Sequence, residues 1–179
     1  MGIISVGNLN DFSGAEFSAC GKYRYKLWRM WERSKPAVLF VMLNPSTANR
    51  TTNDPTIRRC IRFAQLWGYG RLLICNLFAF RSTAPDNLLV VDDPTGPANM
   101  DTIAAVAKSA DYIVLAWGNP HRKLLLRAQL LSNKLCATYT CYCLGTTEAG
   151  HPRHPLYMPY TAQPQAWLGY EAQKNSSTP

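Results

Sequence analysis

The sequence predicts an α/β protein: a three-layer α/β/α sandwich with a central, mainly parallel four-stranded sheet and an extra N-terminal strand or hairpin. Three observations carry this. The runs 37–43, 71–80 and 112–117 are apolar almost throughout, as strands buried on both faces are. Segments with helical spacing of apolar residues lie between and after them. Strand–helix–strand alternation, repeated, implies parallel neighbours with helices on both faces of the sheet. At 179 residues, with 47% apolar residues and no internal repeat, the chain fits one domain, placed at 1–169, with a mobile tail at 170–179.

The elements follow in order. Residues 23–31, YRYKLWRMW, alternate as an early strand does at an edge or in a hairpin. AVLFVML at 37–43 is the first buried strand. After it, Asn44-Pro45-Ser46 opens a polar loop about a dozen residues long, beyond the usual 2–6 for such a connection. Asp54-Pro55 supplies an N-cap and a proline at the first helical position. In the helix that follows, Ile57, Cys60 or Ile61, Ala64 and Trp67 form a stripe, and Gly68 and Gly70 end it. RLLICNLFAF is the second strand. A Pro- and Gly-punctuated loop leads to Asn99, read as the cap of the helix MDTIAAVAKSA. YIVLAW, the helix HRKLLLRAQLLSNK and the strand ATYTCYCLG complete the pattern.

Composition narrows the function classes. The net charge of +8, concentrated at 22–33, 58–62 and 121–127, favours polyanionic partners, nucleic acid above all. No run of about 18 apolar residues marks a membrane span. The start, MGIISVGNLNDFSGAEF, lacks the pattern of a secretion signal, and Ser5 misses the acylation spacing. Six cysteines without a Cys-x-x-Cys pair read as small buried hydrophobes in a reducing cytosol, so no metal and no cofactor is expected. There is no Walker loop or dinucleotide fingerprint. Ser46 lacks a nucleophile-elbow context.

In open α/β sheets ligands bind beyond the carboxyl ends of the strands. The segments expected there are Asn44-Pro45-Ser46, Asn76 with its following loop, Trp117-Gly118-Asn119 and His151-Pro152-Arg153-His154-Pro155. Pro45 biases Asn44 away from helix and fixes where its amide points, although Asn-Pro-Ser is also an ordinary turn. Asn76, an amide inside an apolar strand, must be satisfied, either by a neighbouring loop or by the edge of a nucleobase. His151 and His154 lie in a proline-stiffened loop, and Arg153 beside them is a candidate phosphate contact. Tyr157 could wedge into a base stack or pack on the last strand. Phe78, like Trp67, Phe80 and Trp117, reads as core with the option of stacking on a ring.

The motifs LNPSTA, DPTIRR, NLFAFR and HPLY together resemble the bacterial and phage family called domain of unknown function 1643, over roughly positions 22 to 168. The order of the rim segments is also similar, more remotely, to the uracil-DNA glycosylase superfamily. That resemblance implies a parallel four-stranded sandwich. It implies that Asn44 takes the water-activating position, that Asn76 reads the base, that Arg81 echoes some members, and that a histidine of HPRHPLY, His154 in preference to His151, polarises the base carbonyl. Beside these, Ser46, Phe78 and His151 are expected base contacts, and Arg153, Tyr157, Arg81 and Arg58 expected nucleic-acid contacts. The chain departs from that pattern in four ways: Met42 stands where a glycine is usual, the general-base Asp is absent, the His-Pro-Ser run is broken, and the cluster-binding cysteines of some branches are missing. The expected function is therefore hydrolysis of the N-glycosidic bond of a base in nucleic acid, modified or damaged bases included, with DNA favoured over RNA. The alternatives are a non-catalytic nucleobase- or nucleotide-binding protein and a metal-dependent enzyme using the cysteines and histidines. A cytoplasmic monomer is expected.

Overall fold

A computed structural model describes residues 3–6, for which only the backbone is considered, and 12–170. Among the described residues eight strands form one mixed sheet: β1 (Ile3–Val6), β2 (Ser13–Ser18), β3 (Arg24–Met30), β4 (Ala37–Met42), β5 (Arg71–Asn76), β6 (Tyr112–Leu115), β7 (Cys141–Cys143) and β8 (Gln165–Ala166). Their spatial order is β1-β2-β3-β5-β4-β6-β7-β8. The central four, β5, β4, β6 and β7, are parallel. The outer strands are antiparallel to their neighbours.

Three α-helices cover the faces: α1 (Pro55–Leu66), α2 (Asn99–Lys108) and α3 (Leu125–Cys136). Phe63, Cys60 and Ile57 of α1 pack with Phe40, Ile74 and Val114 on one face. Ile103 of α2 and Leu131 of α3 pack with Leu39, Leu73 and Leu115 on the other. The chain leaves β4 toward β5 over one face, then passes from β5 over β4 to β6 on the opposite face. The connections after β4 and β6 therefore diverge, which opens a crevice between those two strand ends.

Several expectations need correction. The strand at 23–31 is β3; it forms a hairpin with β2, as one of the two alternatives had it, but it is not at an edge, being paired on both sides, and every residue of it is buried. Its alternation reflects charged side chains with buried partners rather than a wet face. Lys26 pairs with Glu16 at 2.6 Å, and Arg24 and Arg29 hold loop carbonyls. The basic run at 22–33 is thus largely internal. Asn99 is the first residue of α2, not its cap; its buried amide donates to the carbonyls of Asn76 and Leu77, both at 3.0 Å. The last parallel strand has only three residues, because α3 runs on to Cys136 and a turn fills 137–140. Tyr170, placed in the tail by sequence, is packed: its hydroxyl meets Trp117 Nε1 at 3.0 Å and His151 Nδ1 at 3.1 Å. Residues 171–179 lie outside the described residues. Among the described residues no helix is long and apolar enough to cross a membrane.

Candidate functional site

A cavity of about 350 Å³ opens at the carboxyl ends of the parallel strands. Residues just past β4 contribute Asn44 and Ser46, the start of α1 contributes Asp54 and Thr56, and the segment after β5 contributes Ser82 and Thr83. Trp117, Gly118 and Asn119 come from beyond β6, and His154 and Tyr157 from beyond β7. Arg24 reaches it from β3. The size is that of a small-ligand site.

Asn44 is fixed from one side. Its Nδ2 donates to the carbonyls of Ser82 at 2.8 Å and Pro45 at 3.1 Å, so both amide hydrogens are used. Oδ1 keeps its lone pairs for a ligand or a water. The loop behind it is held by arginines of β3. Arg24 Nη1 donates to Ala48 O at 2.9 Å, while Arg29 donates to Asn49 O at 2.6 Å and to Asn53 Oδ1 at 2.8 Å. Asn49 Oδ1 accepts the backbone N–H groups of Thr51 and Thr52, closing a side-chain turn. The dozen polar residues are therefore an ordered wall, ending at Asp54, whose Oδ1 accepts Ile57 N–H at 2.8 Å as the cap of α1.

His154 is fixed by the opposite logic. It caps a single turn at Pro155–Tyr157, its Nδ1 accepting the N–H of Leu156 at 3.3 Å. That assigns the proton to Nε2, which becomes the ring's donor. Burial holds its pKa below the ordinary histidine value, with Asp54 opposing, so the ring is neutral at pH 7. Arg59 of α1 staples the loop, donating to Pro155 O at 2.9 Å and to Met158 O, with its guanidinium 4.2 Å from the Tyr160 ring. Gly118 (φ 74°) lets the chain turn beneath: a Cβ there would lie 3.3 Å from the His154 Cβ. Gly118→Ala is expected to destabilise the protein by about 1–2 kcal/mol through left-handed strain, and to displace His154. Urea unfolding with a histidine-ring NMR shift checks both.

Burial likewise lowers the pKa of His151. With both histidines preferring the neutral form when folded, the unfolded chain takes up protons first as pH falls below about 6.5. Their contribution is present above that value and is lost as pH falls toward the folded pKa values. Urea midpoints between pH 7 and 5 should drop, and His151→Gln with His154→Gln should flatten that limb.

Arg24 is the unexpected member. It is 2% exposed, and its Nη2 lies 3.4 Å from Asn76 Oδ1. Burial pushes its pKa down to about 10, which still leaves it charged at neutral pH. Among the described residues no carboxylate oxygen lies within 4.0 Å of it, and Nε has no hydrogen-bond partner.

Of the residues proposed from sequence, Asn44, Ser46, His154 and Tyr157 line this cavity. Asn76 does not: it is 1% exposed and stands behind Arg24, with Nδ2 unpartnered. Phe78 is in the core beneath α2 and α3, because the chain past β5 pairs with Met42 O and Leu43 O and turns its ring under the sheet. His151 is 8% exposed and packs on Tyr170. Arg81 lies in an adjoining shallow depression with Lys22, sharing Ser46, Ser82 and Thr83 with the main cavity. Arg58 folds onto Asn53 O and Arg153 onto Thr146 O, both outside the cavity wall. Among the described residues no group of His, Cys, Asp or Glu is arranged to hold a metal. Arg24 and Asp54 were not picked as site residues from sequence. One reads as a strand residue and the other as a cap; for Asp54 the signal lies in DPTIRR, whose Asp, Thr and second Arg all serve the site, whereas nothing around Arg24 in the sequence marks it.

Fold and site define an α/β protein with a polar cleft at the point where the strand connections diverge. The family model described as protein of unknown function (DUF1643) matches residues 24–156, and the chain belongs to that family. No curated protein and no solved structure matches it.

Proposed function

We propose that the protein is uracil-DNA-glycosylase-like and hydrolyses the N-glycosidic bond of a base in nucleic acid, modified or damaged bases included. The observation that carries this is the pairing of Asn44 and His154 in one cavity, each with its functional atom freed by bonds on the other side. The order of the parallel strands, second-first-third-fourth along the chain, and the supply of site residues from beyond each strand support it.

The base leaves the duplex stack and enters the cleft, at a cost of a few kcal/mol. As the C1′–N bond breaks, its electron pair goes to the base and positive charge grows on the sugar. The Nε2–H of His154 donates to the base oxygen as its charge develops. Asn44 Oδ1 accepts a hydrogen bond from the attacking water and aims it at C1′. An amide takes no proton; Asp54, the one carboxylate on the cavity wall among the described residues, accepts the water's proton on the oxygen not used by Ile57 N–H as the C1′–O bond forms, and the departing base anion takes its proton from solvent. Tyr157, 79% exposed beside the cleft, is placed to fill the space left by the base. Arg153, Arg58 and Arg81 follow phosphates around the mouth. DNA is the favoured polymer, and a cytoplasmic monomer without cofactor fits the same reading.

The carboxamide in place of a carboxylate at position 44 favours a second reading, a nucleobase- or nucleotide-binding protein without turnover. Mass-spectrometric screening for free base released from DNAs carrying damaged and modified bases separates the two. Release that Asn44→Ala abolishes supports hydrolysis. Binding of base with no release over long incubation selects the binder.

A further inference from the structure

Arg24 is a charge buried at the back of the cleft without a counter-charge among the described residues. A guanidinium taken out of water needs an opposite charge or full hydrogen bonding to offset its desolvation. Arg24 has neither: one good bond to Ala48 O, one long contact to Asn76 Oδ1, and Nε unpartnered. Directly behind it, Asn76 Nδ2 is a second buried donor without an acceptor. Asp54 shares the cavity wall but lies beyond ion-pair distance, its carboxylate engaged at the helix start. The cleft is thus polarised, with surplus donors at its back and a carboxylate on its wall.

We propose that Arg24 is an anion-recognising residue of the cleft, and that the natural ligand is a heterocycle presenting a negatively charged oxygen group to it. A phosphate is the other source of such oxygens. A phosphodiester must stay joined to its chain, however, and is drawn to the rim, where Lys22 and Arg81 line the adjoining depression. A group able to reach a side chain that is 2% exposed is a small planar head rather than a linked backbone. The planar fork of Arg24 suits an oxygen pair better than a lysine would. This rests on the nucleobase reading of the same cleft and narrows its substrate class to bases that carry an acidic group or exist as anions at neutral pH.

Three probes test it on the full chain by isothermal titration and NMR: orotate, an anionic planar pyrimidine; uracil, its neutral counterpart; and inorganic phosphate. Orotate should bind at least about tenfold tighter than uracil. Arg24→Gln should remove that preference, and Arg24→Lys should retain part of it. Should Arg24→Gln not fold, the Nε–H resonance of Arg24 in the wild-type protein serves instead: orotate should shift it, uracil should not, and an unmoved resonance at saturating orotate overturns the proposal. Equal affinity for orotate and uracil overturns the proposal. So does phosphate binding as tight as orotate's with the same dependence on Arg24, which gives the back of the cleft to a phosphate. Base release is a separate readout. Orotate binding without release leaves the Arg24 assignment standing and removes the glycosylase. Release that persists in Arg24→Gln, with no orotate preference in the wild type, does the reverse.

Discussion

Replacing His154 with alanine is expected to lower single-turnover base release about 100- to 1000-fold, the usual cost of removing one preorganised donor to a developing oxyanion. The structure makes the contribution specific. The backbone N–H of Leu156 occupies Nδ1, so Nε2 carries the proton, and burial keeps the ring neutral. In the proposed reaction the donor would stand in place before the base arrives, with no reorientation needed as charge grows. His154→Ala removes one modest capping bond, so its unfolding midpoint should stay close to wild type while release collapses. His151→Ala, whose ring packs on Tyr170 outside the cleft, should do the opposite: lower stability and near-normal release. A His154→Ala enzyme releasing base at the wild-type rate would remove the histidine from the chemistry.

Phe63→Ala should have the largest effect on stability, about 3–5 kcal/mol by urea denaturation, in line with emptying a fully buried aromatic site. Phe63 is 0% exposed, and its ring lies 5.2 Å from that of Trp67 and 5.3 Å from that of Tyr160. The second contact matters for the site. Tyr160 also lies against the Arg59 guanidinium, which holds the carbonyls of Pro155 and Met158. Loss of the Phe63 ring therefore loosens the segment that carries His154, and ligand affinity should fall along with stability. Leu126→Ala, on a side chain 64% exposed on α3, should stay within about 0.5 kcal/mol of wild type.

The sheet's centre was legible because its signals are local. Continuous apolar runs mark β4, β5 and β6, and Asp54-Pro55 marks the start of α1. The flank was not. In β3, Arg24, Lys26 and Arg29 look like a solvated face, yet each is buried by a partner distant in sequence: Ala48 O and Asn76, Glu16, and the 49–53 loop. Periodicity reports how residues alternate, not what lies opposite them. The site divides the same way. Asn44 and His154, expected at the rim, both line the cavity; a proline beside each restricts the local chain, while the choice of His154 over His151 rests on the resemblance of HPLY to the family motif. A polar group within an apolar strand demands a partner, which for Asn76 leaves a neighbouring segment or a ligand open; the glycosylase resemblance favours the ligand. That partner is Arg24, and it takes the place at the cleft that the amide was assigned.

The hydroxyl of Tyr170 joins the indole of Trp117, on the cleft wall, to the imidazole of His151 in the loop after β7. A shortened version stopping at Gly169 would thus lose more than a disposable extension. It would strip the outer support from an aromatic side chain that borders the ligand space. Crystallisation trials and affinity-tag designs for this protein should leave that tyrosine in place, with any trimming begun beyond it.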